Sequence, residues 1–298
     1  MNRQIPSFKP SPSLLKNPLV PLIALVFSCL VLIVAMISTS YFALLDDYQS
    51  YYSYYGDSAY GFPVSGTAGV GTVSSTSYDE AEMVISEYKS ISGGENGARA
   101  ENLSLAVAAI DGQVVAPGEE FSFLSALGNI GSDNGYLDAP EVEGSATGEV
   151  TGGGVSQVST ALYIAALCAN LEITERYPYA QTVDYAPLGL DAAVASGTND
   201  LRFINTTDYP VTIKASANGQ VVKVGFVGHP LEEGLVITVT STILGYYDAS
   251  GNVKEFAGGD SISAGDTYCE VITYRQYYRS NALELEEPLT VSTYLLGS

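Results

Sequence analysis

The chain has 298 residues, 46% hydrophobic and 15% charged, with 33 acids against 12 bases and a formal net charge of −21. That length allows one or two domains with a buried core, and so acidic a chain lacks the basic stripe that phosphate backbones require, which excludes nucleic acid as a partner. One histidine and three cysteines exclude a disulfide framework and form no motif of zinc or copper spacing, so no metal and no other cofactor is expected.

Residues 1–17 contain Arg3, Lys9 and Lys16 and no acid, and residues 18–45 contain no charged residue at all. A helix needs roughly 20 apolar residues to cross a bilayer, so this run predicts a transmembrane signal-anchor helix. A cleaved signal peptide, the competing reading, has an apolar region of only about 7 to 15 residues. The bases precede the run and Asp46 and Asp47 follow it, which places residues 1–17 in the cytoplasm and the rest outside a cell membrane crossed once. Residues 46–77, rich in Tyr, Ser and Gly without periodicity, read as a flexible stalk. A folded domain over 78–230 and a β-rich extension over 231–298 are expected to follow.

Within the folded part, Ala81, Val84, Ile85 and Tyr88 fall at helical spacing behind Asp79, Glu80 and Glu82, which predicts a surface helix over residues 78–91. The apolar run 103–110 ends in Asp111-Gly112, a hairpin-type signal, and Pro117-Gly118 is a second turn. Gly152, Gly153 and Gly154 lead into the nearly uninterrupted apolar run 155–168, which predicts a buried helix. Residues 211–215, 221–227, 235–243 and 268–277 read as strands, the first two joined through Asn218-Gly219. The expected class is α+β: after the membrane helix, a buried central helix packed on a mostly antiparallel sheet.

The start of the buried helix is the one place where the pattern hints at chemistry, because a first turn offers unpaired N–H groups and partial positive charge. Ser156 is either an N-cap, accepting from the N–H of Val158 or Ser159, or a nucleophile. Gln157, Ser159 and Thr160 satisfy the backbone or bind a carboxylate or sugar hydroxyl. Arg176 joins a network with Glu175, Asp191 or Asp200, or meets a ligand. Tyr177, Tyr179 and Tyr185 pack on strands or stack on a ligand's rings. Asp184, Asp191 and Asp200 would hold Ca²⁺ only if their turns converge, and none has the spacing of a calcium loop.

From residue 98 to 227 the motifs APGEEFSF (116–123), Gly135-Tyr136, GGGVSQVSTALY (152–163), Glu175-Arg176, DYAPLGLDAAV (184–194) and DLRFIN (200–205) stand in an order that resembles the VanW-like family of bacterial envelope proteins. The tail over residues 271–294 looks like the ending of many relatives. The family takes its name from an accessory product of glycopeptide-resistance clusters, and its members are usually anchored or secreted proteins of Gram-positive bacteria. The resemblance thus implies a cell-envelope setting and no particular reaction. Most relatives carry Cys where this chain has Ser156, and a His after the Glu-Arg pair in a pattern like ER-x-x-H-S, where this chain reads ERYPYAQ with Tyr177 and Tyr179. A helix-start cysteine can ionise below about pH 7.5, whereas a serine needs a strong adjacent base.

These features lead to the expectation of a membrane-anchored envelope protein that binds or supports peptidoglycan or an envelope protein without catalysis. Two other readings stand beside it. One is an enzyme acting on peptidoglycan peptide with Ser156 at the cysteine position; the other is a structural or assembly protein.

Overall fold

The computed structural model describes residues 67–68, 83–93, 97–141, 148–253 and 267–296. The expected membrane span, nearly all of the expected stalk and residues 78–82 lie outside these. Among the described residues no helix is long and apolar enough to cross a membrane.

After the two-residue strand β1 (Thr67–Ala68) the chain forms β2 (Met83–Ile91). The helix expected over 78–91 is therefore corrected, over its described part, to a strand. The inward positions of β2 are Ser86, Tyr88 and Ser90, all buried. Two of these three are serines, so the alternation that marks a half-buried strand was hidden behind polar residues, and the apolar residues that remained fitted a helical period. The hydroxyls are satisfied inside: Ser86 Oγ donates to Ala165 O at 2.7 Å and Ser90 Oγ to Tyr185 O at 3.1 Å.

Helix α1 (Gly97–Ile110) buries Arg99, Asn102, Leu103, Ala106, Val107 and Ile110, the spacing of one helical face. The hairpin expected at Asp111-Gly112 is corrected to a helix stop. Asp111 N donates to Val107 O, and Gly112, at φ 78°, donates to Ile213 O. The expected turn at Pro117-Gly118 is present, with Glu119 N bonded to Ala116 O.

Short elements follow: β3 (Val114–Val115), β4 (Glu120–Ser122), α2 (Phe123–Leu127), a 3₁₀ turn at Ser132–Asn134, β5 (Asp138–Pro140) and β6 (Glu149–Thr151). The expected central helix is α3 (Val155–Cys168), with all of its residues buried. It packs against β2, α1, β7 (Glu172–Glu175), β10 (Val221–Gly228) and β11 (Leu235–Asp248). The strands β8 (Arg202–Ile204), β9 (Val211–Asn218), β12 (Thr267–Arg279) and β13 (Ala282–Leu296) complete the described elements. The expected strands at 211–215, 221–227, 235–243 and 268–277 lie within β9 to β12, and β9 turns into β10 through Gly219 at φ 57°.

The strands form sheets in the orders β2-β10-β9-β3, β4-β8-β7, β1-β11-β12-β13 and the ribbon β5-β6, and every ladder between these strands is antiparallel. Val222, Val224 and Phe226 of β10 are fully buried and join Leu162, Ile164 and Phe203 in the main core. A smaller cluster of Leu188, Cys269, Val271, Tyr294 and Leu296 packs the C-terminal sheet onto the loop that follows β7. The α+β class with mostly antiparallel sheets and few helices is thus what the structure shows.

Candidate functional site at the start of the buried helix

Close packing explains the glycines. A Cβ on Gly153 would lie 1.9 Å from Ala139 O, and one on Gly152 would lie 2.3 Å from Ile130 Cγ2. Gly154, at φ 99°, is the helix cap, and a Cβ there would meet Arg99 Cγ at 2.7 Å. Backbone and a buried arginine stem therefore fill the space beside the glycines.

Ser156 is not the N-cap. It lies within the first turn, and its Oγ accepts from Val194 N at 3.2 Å and donates to Val194 O at 3.4 Å. Ser159 Oγ donates to Ala192 O at 2.6 Å, and Thr160 Oγ1 accepts from Ala192 N at 3.0 Å. One polar stripe of an otherwise apolar helix thus clasps the backbone of residues 192–194. Each hydroxyl replaces hydrogen bonds that this buried loop would otherwise lose.

Gln157, fully buried, accepts from Arg99 Nη1 at 2.7 Å and donates through Nε2 to Gln220 O at 2.9 Å. The same Nη1 reaches Ser92 Oγ and Gln220 Oε1, both at 2.6 Å. Arg99 was not singled out in the sequence, although its place on the buried stripe of α1 was readable once the helix was recognised.

The loop after β7 returns Tyr179 to the helix start. Its hydroxyl donates to Glu141 Oε1 at 3.3 Å and lies near the Ser156 and Tyr185 side chains. Burial, reinforced by Glu141, pushes that hydroxyl well above its usual range. Counting along ER-x-x-H-S, Tyr179 occupies the position that is usually histidine in relatives. The two substituted positions are therefore neighbours in the fold.

A phenol held neutral is a poor base, and Ser156 Oγ is bonded to the Val194 backbone. His229 lies elsewhere, exposed and stacked on Tyr209 with ring centroids 3.8 Å apart.

Asp191 ties the clasped loop to the C-terminal sheet. Its Oδ2 accepts from Tyr179 N at 2.6 Å, while Oδ1 accepts from Arg176 Nη2 at 3.2 Å and from the Tyr294 hydroxyl. Arg176 also donates to Asp191 O and Ser292 Oγ, both at 2.6 Å, and covers the Tyr163 ring at 5.3 Å. Arg176 thus joins the expected carboxylate network through Asp191.

Asp200 serves another place. It accepts from Leu124 N at the start of α2 and pairs with Arg202 at 3.1 Å. Asp184 accepts from Gly93 N at 2.7 Å, so the three aspartates do not converge as a calcium site requires. Tyr177 is a surface residue, 38% exposed, whose carbonyl accepts from Ala193 N.

The family described as VanW like protein matches residues 98–227. The uncharacterized protein YoaR of Bacillus subtilis is 38% identical over 135 residues, covering 45% of this chain and 45% of that protein. The vancomycin B-type resistance protein VanW of Enterococcus faecalis is 26% identical over 196 residues, covering 64% of this chain and 70% of that protein. The chain therefore spans less than half the length of the Bacillus relative. No solved structure matches. The glycine turn, the clasp on residues 192–194 and the Arg176–Asp191 pair all lie inside the matched region, and over that region the chain is similar to the VanW-like family.

Proposed function

We propose that this VanW-like chain is a single-pass cell-envelope protein whose domain outside the membrane binds a cell-wall component without catalysis. The observation that carries the reading is the state of Ser156. The residue is 3% exposed, and its hydroxyl is closed onto the Val194 backbone with Tyr179 nearby instead of a base. Nucleophilic attack would require that clasp to open and a proton acceptor to arrive. Support for the envelope setting comes from the charge-free run 18–45 behind Arg3, Lys9 and Lys16.

Co-sedimentation of the full chain, purified in detergent, with isolated peptidoglycan sacculi tests the reading. Retention that Ser156→Ala leaves unchanged, with no soluble fragments released, is the expected result. Turnover of peptidoglycan that disappears in Ser156→Ala would replace binding with catalysis. On intact cells, digestion of the folded domain by added protease is the expected outcome for an anchor with its N-terminus inside.

A further inference from the structure

The opposite end of α3 opens into a cleft of about 620 Å³ that none of the expected site residues except Arg176 reaches. Its walls are two strands at the edges of different sheets. Strand β7 closes the β4-β8-β7 sheet, and all four of its residues line the cleft. Strand β13 closes the C-terminal sheet and contributes Glu287, Leu289 and Thr290. The segment that continues β7 meets β13 in a parallel bridge between Gln181 and Leu295, where Leu295 N donates to Ala180 O at 2.7 Å. Away from that bridge the cleft separates the two chains.

The floor is rigid. Helix α3 ends in a Schellman turn, with Asn170 N bonded to Leu167 O, Leu171 N to Ala166 O, and Asn170 itself at φ 62°. Arg275 Nη1 donates to Asn170 Oδ1 at 2.8 Å and Nη2 to Leu171 O at 3.0 Å, while the Tyr277 hydroxyl donates to the same Asn170 Oδ1 at 3.0 Å. Both arginines of the cleft are thus engaged by the fold, Arg275 here and Arg176 on Asp191. The charges at the rim are acidic: Glu172 and Glu287 are exposed, and Glu287 lies 3.0 Å from the Tyr277 hydroxyl.

We infer that this cleft is a binding site for a short extended peptide carrying at least one ammonium group, held by main-chain pairing to the edges of β7 and β13. A sheet edge presents unpaired N–H and C=O groups at strand spacing, and an added strand satisfies them. The four residues of β7 offer about 13 Å of edge, enough for a segment of about four residues. Glu172 and Glu287 complement an ammonium group and repel an acidic strand, which also disfavours pairing with another copy of β13, itself marked by Glu284, Glu286 and Glu287. This inference rests on the binding reading and names a ligand class for it.

The test uses the full chain in detergent and a fluorescent pool of blocked pentapeptides, Ac-X-Lys-X-Lys-X-amide with X drawn from Ala, Val and Thr, followed by anisotropy. Saturable binding below about 1 mM is expected, weakened about tenfold when both lysines are replaced by glutamate and similarly when alternate peptide nitrogens are methylated. Glu172→Lys with Glu287→Lys should reverse the charge preference while far-ultraviolet circular dichroism stays unchanged. Failure to bind the pool at 1 mM, or equal binding of the lysine and glutamate pools, overturns the inference, as does indifference to methylation or to the double charge reversal. Sacculus retention in parallel separates the two readings. A chain that holds sacculi but fails these peptide tests loses the cleft and keeps the binding role, and one that does neither loses both.

Discussion

The two ends of α3 differ in a way their sequences conceal. At the N-terminal end, three glycines and a run of hydroxyls look like a catalytic or anion-binding turn, yet the space beside the glycines is filled. Ala139 O stands where a Gly153 side chain would be, and Ser156, Ser159 and Thr160 hold the backbone of residues 192–194. At the C-terminal end, the plain sequence Asn170-Leu171-Glu172 adjoins the cleft. Small and polar residues at a helix start thus serve close packing here, and the accessible surface lies where sheets end.

Asp191 connects the ends, so removing it should have the largest effect. Asp191→Ala takes the carboxylate acceptor from the Tyr294 hydroxyl and Tyr179 N and the counter-charge from Arg176, which keeps only its bonds to neutral groups such as Asp191 O and Ser292 Oγ. Breaking a buried pair of this kind costs about 3–5 kcal/mol, and urea unfolding should show that loss together with disorder on both sides of the helix. Gly153→Ala attacks the closed end alone. Its methyl group would overlap Ala139 O and Ala139 C, at 1.9 and 2.5 Å, so the backbone must move at a cost of about 3 kcal/mol. A stability change below about 1 kcal/mol would mean that the glycine turn is looser than its packing indicates.

How far these features were legible depended on which residue types faced inward. Strands β9 to β12 announce themselves because apolar residues alternate with polar ones, as Ile237 and Val239 do with Thr238 and Thr240, and α3 does so because its residues are nearly all apolar. Strand β2 did not, since serines occupy two of its buried positions. Helix α1 was hidden by Arg99 and Asn102 on its buried stripe and by an Asp-Gly pair that suits a helix stop as well as a hairpin. The nearness of Ser156 and Tyr179 was readable only as two simultaneous departures from a family pattern. The cleft left no sequence signal, because it depends on how β7 and β13 splay apart, and edge strands carry no mark that distinguishes a lined cleft from open solvent.

Smaller changes sharpen the contrast. Ser159→Ala removes a hydrogen bond of 2.6 Å and leaves Ala192 O with only the weak 3.5 Å contact from Thr160, which should cost about 1–2 kcal/mol in the same unfolding assay. The thiols give a pH readout. Burial pushes Cys168, in the last turn of α3, up to about 12, and Cys269 up to about 11. Unfolded thiols ionise near the ordinary value of 9.0 while the folded ones stay protonated, so these groups lower stability progressively as pH rises from about 9 to about 12. Neither thiol should react with iodoacetamide at pH 8 until the chain unfolds, and rapid labelling in the native state would contradict their burial.

The last change should barely alter stability, and it tests the closed end most directly. Ser156→Cys alone places a thiol in a site that is 3% exposed and faces the Val194 backbone and a phenol. The helix start and Val194 N–H favour the thiolate, but burial opposes it and closes off the reagent, so alkylation at residue 156, followed by peptide mass spectrometry at pH 7, should stay at least about tenfold slower than in the unfolded chain. Adding Tyr179→His puts an imidazole where the phenol now lies near Ser156. If the imidazole comes within hydrogen-bond reach, an imidazolium–thiolate pair forms and alkylation accelerates by about tenfold or more over the single variant. Equal rates in the two variants would show that nearness of the positions is insufficient, and that Glu141, which now accepts from Tyr179, or the clasp on Val194 keeps the helix start closed whatever side chains occupy it.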